Sequence, residues 1–120
     1  EYSSIMAGCI WSMVQTSGKN YQFLSDNCGC LKQLDVKKQK VFRDYGKIHG
    51  QILSIAITSD DKYVFTSDSD LNGHVKQFSV RHGQMIKDYG PIFENYGVRS
   101  IITTPDNKRL FAASDRGHLK

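Results

Sequence analysis

The sequence predicts an all-β repeat protein with four short strands per unit, and three observations carry that prediction: a fixed period, strand-forming runs inside it, and turn chemistry between the runs. Asp44-Tyr45-Gly46 returns as Asp88-Tyr89-Gly90, Lys32-Gln33 returns as Lys76-Gln77, and Gly29, Gly73 and Gly117 keep the same spacing of about 44 residues. No segment of helical length carries an apolar stripe at a 3.6-residue period.

Each unit opens on an apolar run. Ile10, Ile52 and Val98 each stand two residues before Ser12, Ser54 and Ser100, and Thr16, Thr58 and Thr104 follow. The β-branched content of Ile52 to Thr58 and Val98 to Thr104 predicts strands, with Ile10 to Thr16 as their counterpart. Turns come next: Ser17-Gly18-Lys19-Asn20, Ser59-Asp60-Asp61-Lys62 and Pro105-Asp106-Asn107-Lys108. A second strand begins near Tyr21, Tyr63 and Arg109, runs through Phe23, Phe65 and Phe111, and leads to a Ser-Asp dipeptide and then to the periodic Gly. Val75 to Val80 and Met85 to Tyr89 complete a set of four in the second unit. The units fall at about 5–47, 48–91 and 92–120, the third cut short at Lys120.

Composition bounds the function. A chain of 120 residues is one ordinary domain by length, and 39% hydrophobic with 23% charged residues is the balance of a globular chain that buries a core. The most apolar stretch, Ile5 to Val14, is interrupted by Ser12 and is well short of the roughly twenty residues a membrane helix needs. Three cysteines are an odd number at low density, which points to a reducing, cytoplasmic compartment rather than a disulfide scaffold. The chain begins at Glu1, and we expect it to be a piece of something longer.

With the unit in hand, the sequence resembles the WD40-repeat family. Lys47-Ile48-His49 stands where that family has Gly-His before the innermost strand, and Thr58-Ser59-Asp60-Asp61 and Thr104-Pro105-Asp106-Asn107 stand at its Ser-Pro-Asp-Gly turn. Gly29-Cys30-Leu31-Lys32-Gln33-Leu34-Asp35 and Gly73-His74-Val75-Lys76-Gln77-Phe78-Ser79 match its third strand, with Leu34 and Phe78 in place of the Trp of Trp-Asp and only Asp35 keeping the Asp. The resemblance implies an all-β fold of about two and a half four-stranded blades of a WD40-like β-propeller, a fragment of a larger propeller. It implies a non-catalytic scaffold that mediates protein–protein interaction, with other proteins as partners and self-association or the rest of a parent chain completing the ring. No cofactor is expected, and no membrane partner.

Other chemistries are weighed residue by residue. His49, Ser67 and Asp68 contain the types of a catalytic triad, but Ser-Asp recurs at Ser25-Asp26 and Ser114-Asp115, so the repeat itself uses it. Cys28 and Cys30 with Cys9 offer three soft metal ligands or three free thiols. The stretch 37–43, Lys-Lys-Gln-Lys-Val-Phe-Arg, is either a nucleic-acid surface or a lysine-guarded outer strand, and the guarded edge is the expected role. A propeller enzyme, or one holding a small molecule or metal, would need carboxylates or His facing the central channel; the innermost strands offer Ser, Thr and Arg99 instead.

Unit lengths locate a candidate binding face. Ser25 to Gly29 and Ala113 to Gly117 span four residues, whereas Ser67 to Gly73 spans six, adding residues around Asp70 and Leu71. Asp44 to Ile52 spans eight and Asp88 to Val98 ten, adding residues among Phe93, Glu94 and Asn95. In the family that this chain resembles both loops open on one rim, which makes Asp70, Leu71, Phe93 and Glu94 the expected partner-binding residues, with capping of the adjoining blade as the plainer role.

Overall fold

The computed structural model describes residues 10–18, 20–26, 28–48, 52–68, 73–92 and 97–114. Ten strands run through them and no helix: β1 (Ile10–Gln15), β2 (Tyr21–Asp26), β3 (Cys30–Asp35), β4 (Lys40–Lys47), β5 (Ile52–Ile57), β6 (Tyr63–Asp68), β7 (His74–Ser79), β8 (Met85–Pro91), β9 (Val98–Thr103) and β10 (Leu110–Ser114). They form antiparallel meanders of four, four and two strands in the orders β1-β2-β3-β4, β5-β6-β7-β8 and β10-β9. The expected all-β class and the equivalence of β1, β5 and β9 are what is found. The second strand of the first two units is longer than its apolar run because the Ser-Asp dipeptide stays in the ladder: Ser67 pairs with both Ser54 and Val75, and Asp68 with Ile52, whereas in the third unit Ala113 and Ser114 take those places opposite Ser100 and Val98, one residue out of step with the sequence's Ser114-Asp115.

The 44-residue anchors each have a physical reason. Asp44 and Asp88 accept a hydrogen bond from the amides of Gly46 and Gly90, both at 2.8 Å, and those glycines sit at φ of +74° and +72° with open space around a would-be Cβ. Their left-handed backbone, not crowding, demands Gly. The tyrosine between turns back over the sheet: Tyr45 Oη donates to Gln33 Oε1 at 3.1 Å, and Tyr89 Oη donates to Gln77 Oε1 at 2.8 Å. Lys-Gln on a third strand and Asp-Tyr-Gly on a fourth are thus two halves of one cross-strand device.

Successive sheets pack face to face. Phe23 and Leu31 of the first sheet meet Ile52, Ile55, Val64 and Phe78 of the second. Ala56, Phe65 and Val75 of the second meet Val98, Ile101 and Ala112 of the third. Burial of each such large aliphatic or aromatic side chain is worth about 1.5–3 kcal/mol, so these two seams hold the units together. Leu34 and Phe78, at the positions of the family's Trp, are both buried, and the packing role survives the loss of the indole. A β-bulge recurs at one place in all three units, setting Trp11, Leu53 and Arg99 outside the pairing between the flanking Ile or Val and Ser.

Candidate functional site

The two lengthened loops rise from adjoining roots. Gly73, at the end of the β6–β7 loop, lies so close to the start of β9 that a Cβ there would be 2.6 Å from the Val98 amide nitrogen and 3.0 Å from Gly97 Cα. Ile92, at the entry of the β8–β9 loop, donates its amide to Gly73 O at 3.0 Å. The first sheet repeats that bond between Ile48 N and Gly29 O at 2.9 Å. Asp70, Leu71, Phe93 and Glu94 themselves lie outside the described residues; the frame from which their loops start is described.

Asp26 and Asp68 build that frame. Both are buried; Asp26 Oδ1 accepts from the amides of Cys28 at 2.9 Å and Cys30 at 3.0 Å, and Asp68 Oδ1 accepts from His74 N at 2.9 Å. A carboxylate thus ties each β2–β3 or β6–β7 connection to its strand. Ser25 and Ser67 are fully buried and their Oγ atoms find no hydrogen-bond partner among the described residues. His49 lies outside the described residues. Asp68 and Ser67 are therefore placed as parts of the blade, with no exposed hydroxyl at Ser67 for a substrate to meet.

Cys28 is exposed and Cys30 half-buried, and Cys9 lies outside the described residues. Burial, followed by the carboxylates of Asp26 and Asp44, pushes the Cys30 thiol above its ordinary value. That thiol is therefore a poor nucleophile. The corresponding place in the second sheet holds His74, whose Nδ1 lies 2.9 Å from Asp88 Oδ1. Partial burial works to raise the Asp88 carboxyl, but the Gly90 amide and His74 outweigh it and hold the group below the ordinary carboxylate range. Among the described residues no three His, Cys, Asp or Glu side chains are grouped closely enough to hold a metal.

The basic stretch divides in two. Lys37, Lys38 and Lys40 are exposed on the β3–β4 turn and the start of the outer strand β4. Arg43 is half-buried and crosses to the next sheet: Nη1 donates to Val80 O at 2.7 Å and Nη2 to Arg81 O at 3.5 Å, while the guanidinium lies 5.3 Å from the Phe42 ring centroid and 5.9 Å from that of Tyr45. Reading Arg43 as one more charge of a solvated edge thus needs correcting. The bulge that leaves Phe42 out of the pairing opposite Gln33 and Leu34 accompanies this turn of the strand.

A cavity of about 660 Å³ lies between the second and third sheets, floored by Phe65, Val75 and Leu110 with Tyr89, Lys108 and Arg109 among its walls. Sequence reasoning did not find it, because it depends on how far the third sheet extends over the face of the second.

No family model and no curated protein matches the chain. Solved structures do. The β-propeller domain of Cps50 (Swd1) from Myceliophteria thermophila matches with a TM-score of 0.82 at 13% identity, over 95% of this chain and 35% of that one. Hydrazine synthase of Kuenenia stuttgartiensis matches with a TM-score of 0.75 at 20% identity, over 87% of this chain and 28% of that one. The chain thus spans about a third of the length of each. It has the fold of a WD40-like β-propeller segment.

Proposed function

We propose that this chain is a WD-repeat scaffold segment that mediates protein–protein interaction within a larger assembly, without catalysis, in a reducing intracellular compartment. The observation that carries the reading is the division of labour along the repeat. Polar groups that return with the period serve the blades: Asp26 and Asp68 tie loops to strands, and Asp44 and Asp88 tie their glycines. The residues that break the period sit on loops whose roots adjoin at Gly73 and Gly97. Variable loops on a rigid sheet scaffold are where such architectures recognise partners.

Leu71 and Phe93 supply the apolar anchors, with Asp70 and Glu94 beside them for polar specificity. The test is to replace Leu71 and Phe93 together by Ser in the full chain. Partner co-purification falls while the melting temperature stays nearly unchanged if these residues contact a partner. A large loss of melting temperature with partner capture intact assigns them to capping instead and removes the proposed surface.

A further inference from the structure

Four turns of the first two sheets are bonded into one surface, at the end of the blades away from Asp26 and Asp68. The amide of Val36 donates to Asn20 O and that of Val80 to Lys62 O, both at 3.0 Å, which ties the β3–β4 and β7–β8 turns to the β1–β2 and β5–β6 turns of their own sheets. Ser17 bonds Asp61 across the two inner turns, and Arg43 of β4 donates to Val80 O in the β7–β8 turn. The carboxylates on this surface are held by hydroxyls and amides. Asp35 Oδ1 accepts from Lys38 N at 3.0 Å, and Asp60 Oδ1 from Thr58 Oγ1 at 2.6 Å and Lys62 N at 3.1 Å. Lys37, Lys38, Lys40 and Arg81 are exposed, and among the described residues none of them forms an ion pair. Protection of an outer strand against edge pairing accounts for Lys40 alone, because Lys37, Lys38 and Arg81 stand on turns. Beside Lys40, Val41 is 38% and Phe42 49% exposed.

We infer that this surface docks an acidic segment of a partner protein, with carboxylates on Lys37, Lys38 and Arg81 and one apolar side chain against Val41 and Phe42. Charge complementarity and the two apolar side chains choose that occupant. Specific nucleic-acid recognition uses guanidinium forks or free aromatic rings. Here Arg43 is engaged by two backbone carbonyls, and the Phe42 ring already lies 4.9 Å from the Tyr21 centroid and 5.3 Å from the Arg43 guanidinium. An anionic bilayer would need apolar residues leading at the turns, which carry Lys37, Lys38, Arg81 and His82 instead. Because the four turns are already bonded to one another, little backbone ordering opposes docking. The inference rests on the scaffold reading but concerns the opposite end of the blades from the roots of the β6–β7 and β8–β9 loops, so each can fail alone.

The probe is a fluorescent synthetic peptide of alternating Asp and Glu with a central Phe, titrated with the full chain and followed by anisotropy. We expect binding that weakens as salt is raised, falls at least about tenfold in Lys37→Glu with Lys38→Glu and again when Arg81→Glu is added, and falls several-fold in Phe42→Ser. Leu71→Ser with Phe93→Ser should leave it unchanged. Melting temperatures near that of the parent chain keep a loss of binding apart from a loss of fold. Absence of binding overturns the inference, as does binding indifferent to the charge reversals or to Phe42→Ser. Equal binding of a peptide with Asn and Gln in place of the acids overturns it too, and so does loss of binding in the chain carrying Leu71→Ser and Phe93→Ser. Tighter binding of an oligothymidylate, or of phosphatidylcholine vesicles carrying phosphatidylserine, also overturns it, because the surface then belongs to another class of partner.

Discussion

Ser17 and Asp61 meet across the seam between the first and second sheets: Ser17 Oγ donates to Asp61 Oδ2 at 2.7 Å and its amide to Oδ1 at 2.9 Å. One unit on, the Ser59 amide donates to Asn107 Oδ1 at 2.8 Å and its Oγ lies 3.0 Å from the same oxygen. Asp61 and Asn107 sit at φ of +60° and +63°, the left-handed region that Asp and Asn tolerate better than most side chains. The residue that closes one turn by its backbone is therefore also the acceptor for the turn before it. Pro105 stands at the next Ser position and brings neither an amide proton nor a hydroxyl, so the series ends with the third turn.

Asp61→Ala removes the acceptor of three donors, Ser17 N, Ser17 Oγ and Gly18 N, and puts a less tolerant residue at positive φ. We expect a loss of about 1–2 kcal/mol in urea unfolding, with Asp61→Asn retaining most of the stability, as Asn107 does one unit on. Equal losses for Ala and Asn would contradict the acceptor role.

Asp60 and Asp106 are held below the ordinary carboxylate range, first by the hydroxyls of Thr58 and Thr104 and then by the amides of Lys62 and Lys108. A carboxyl depressed in the folded state stabilises it above the unfolded value of 3.8, and the contribution is lost as pH falls below that value through the folded one. Melting temperature should drop on acidification through this window, and less steeply in Thr58→Val with Thr104→Val. Parallel pH profiles for the two proteins would rule these carboxyls out as the source.

Gly83 pairs with Arg43 in a way that makes their substitutions non-additive. Its φ is +68°, and a Cβ would lie 2.4 Å from Arg43 Cδ and 2.5 Å from Nε, so Gly83→Ala must push the side chain off Val80 O. We expect Gly83→Ala to cost about 1–3 kcal/mol, and Arg43→Ala to cost less in that background than in the parent chain. Strict additivity in a double-mutant cycle would show that Arg43 does not latch the two sheets.

Tyr45→Phe and Tyr89→Phe separate a buried device from its exposed twin. Gln33 is 1% exposed, and its Oε1 loses the Tyr45 donor when the hydroxyl is removed, an expected cost of about 1–2 kcal/mol. Burial also pushes the Tyr45 hydroxyl above its ordinary value, with Arg43 opposing, so the group stays protonated as the donor across the neutral range. Tyr89→Phe leaves Gln77 open to water and should be close to neutral, which chemical unfolding of both variants checks side by side.

Much of the fold was legible because the period of about 44 residues is written in residues with fixed backbone duties, such as Gly46 and Gly90 at positive φ and Thr58 and Thr104 closing equivalent turns. Lys32-Gln33 and Asp44-Tyr45-Gly46 were visible as separate anchors, but not as partners. Their pairing depends on two register shifts between β3 and β4, and a shift of one residue sends a side chain to the other face. Arg43 was read as edge charge for the same reason. The candidate loops were located by counting residues, and the structure adds the adjoining roots at Gly73 and Gly97 that counting does not supply.

The central claim, that successive 44-residue units stand side by side as blades sharing one seam, is tested most directly by nuclear Overhauser contacts between the Tyr45 and Phe78 rings in the full chain. The two belong to different units and their centroids are 5.6 Å apart, whereas Tyr45 and Phe23 lie 6.2 Å apart within one unit. The account predicts cross-peaks from Tyr45 to both Phe78 and Phe23. Cross-peaks to Phe23 with none to Phe78 would mean that each unit folds on its own, and would contradict it.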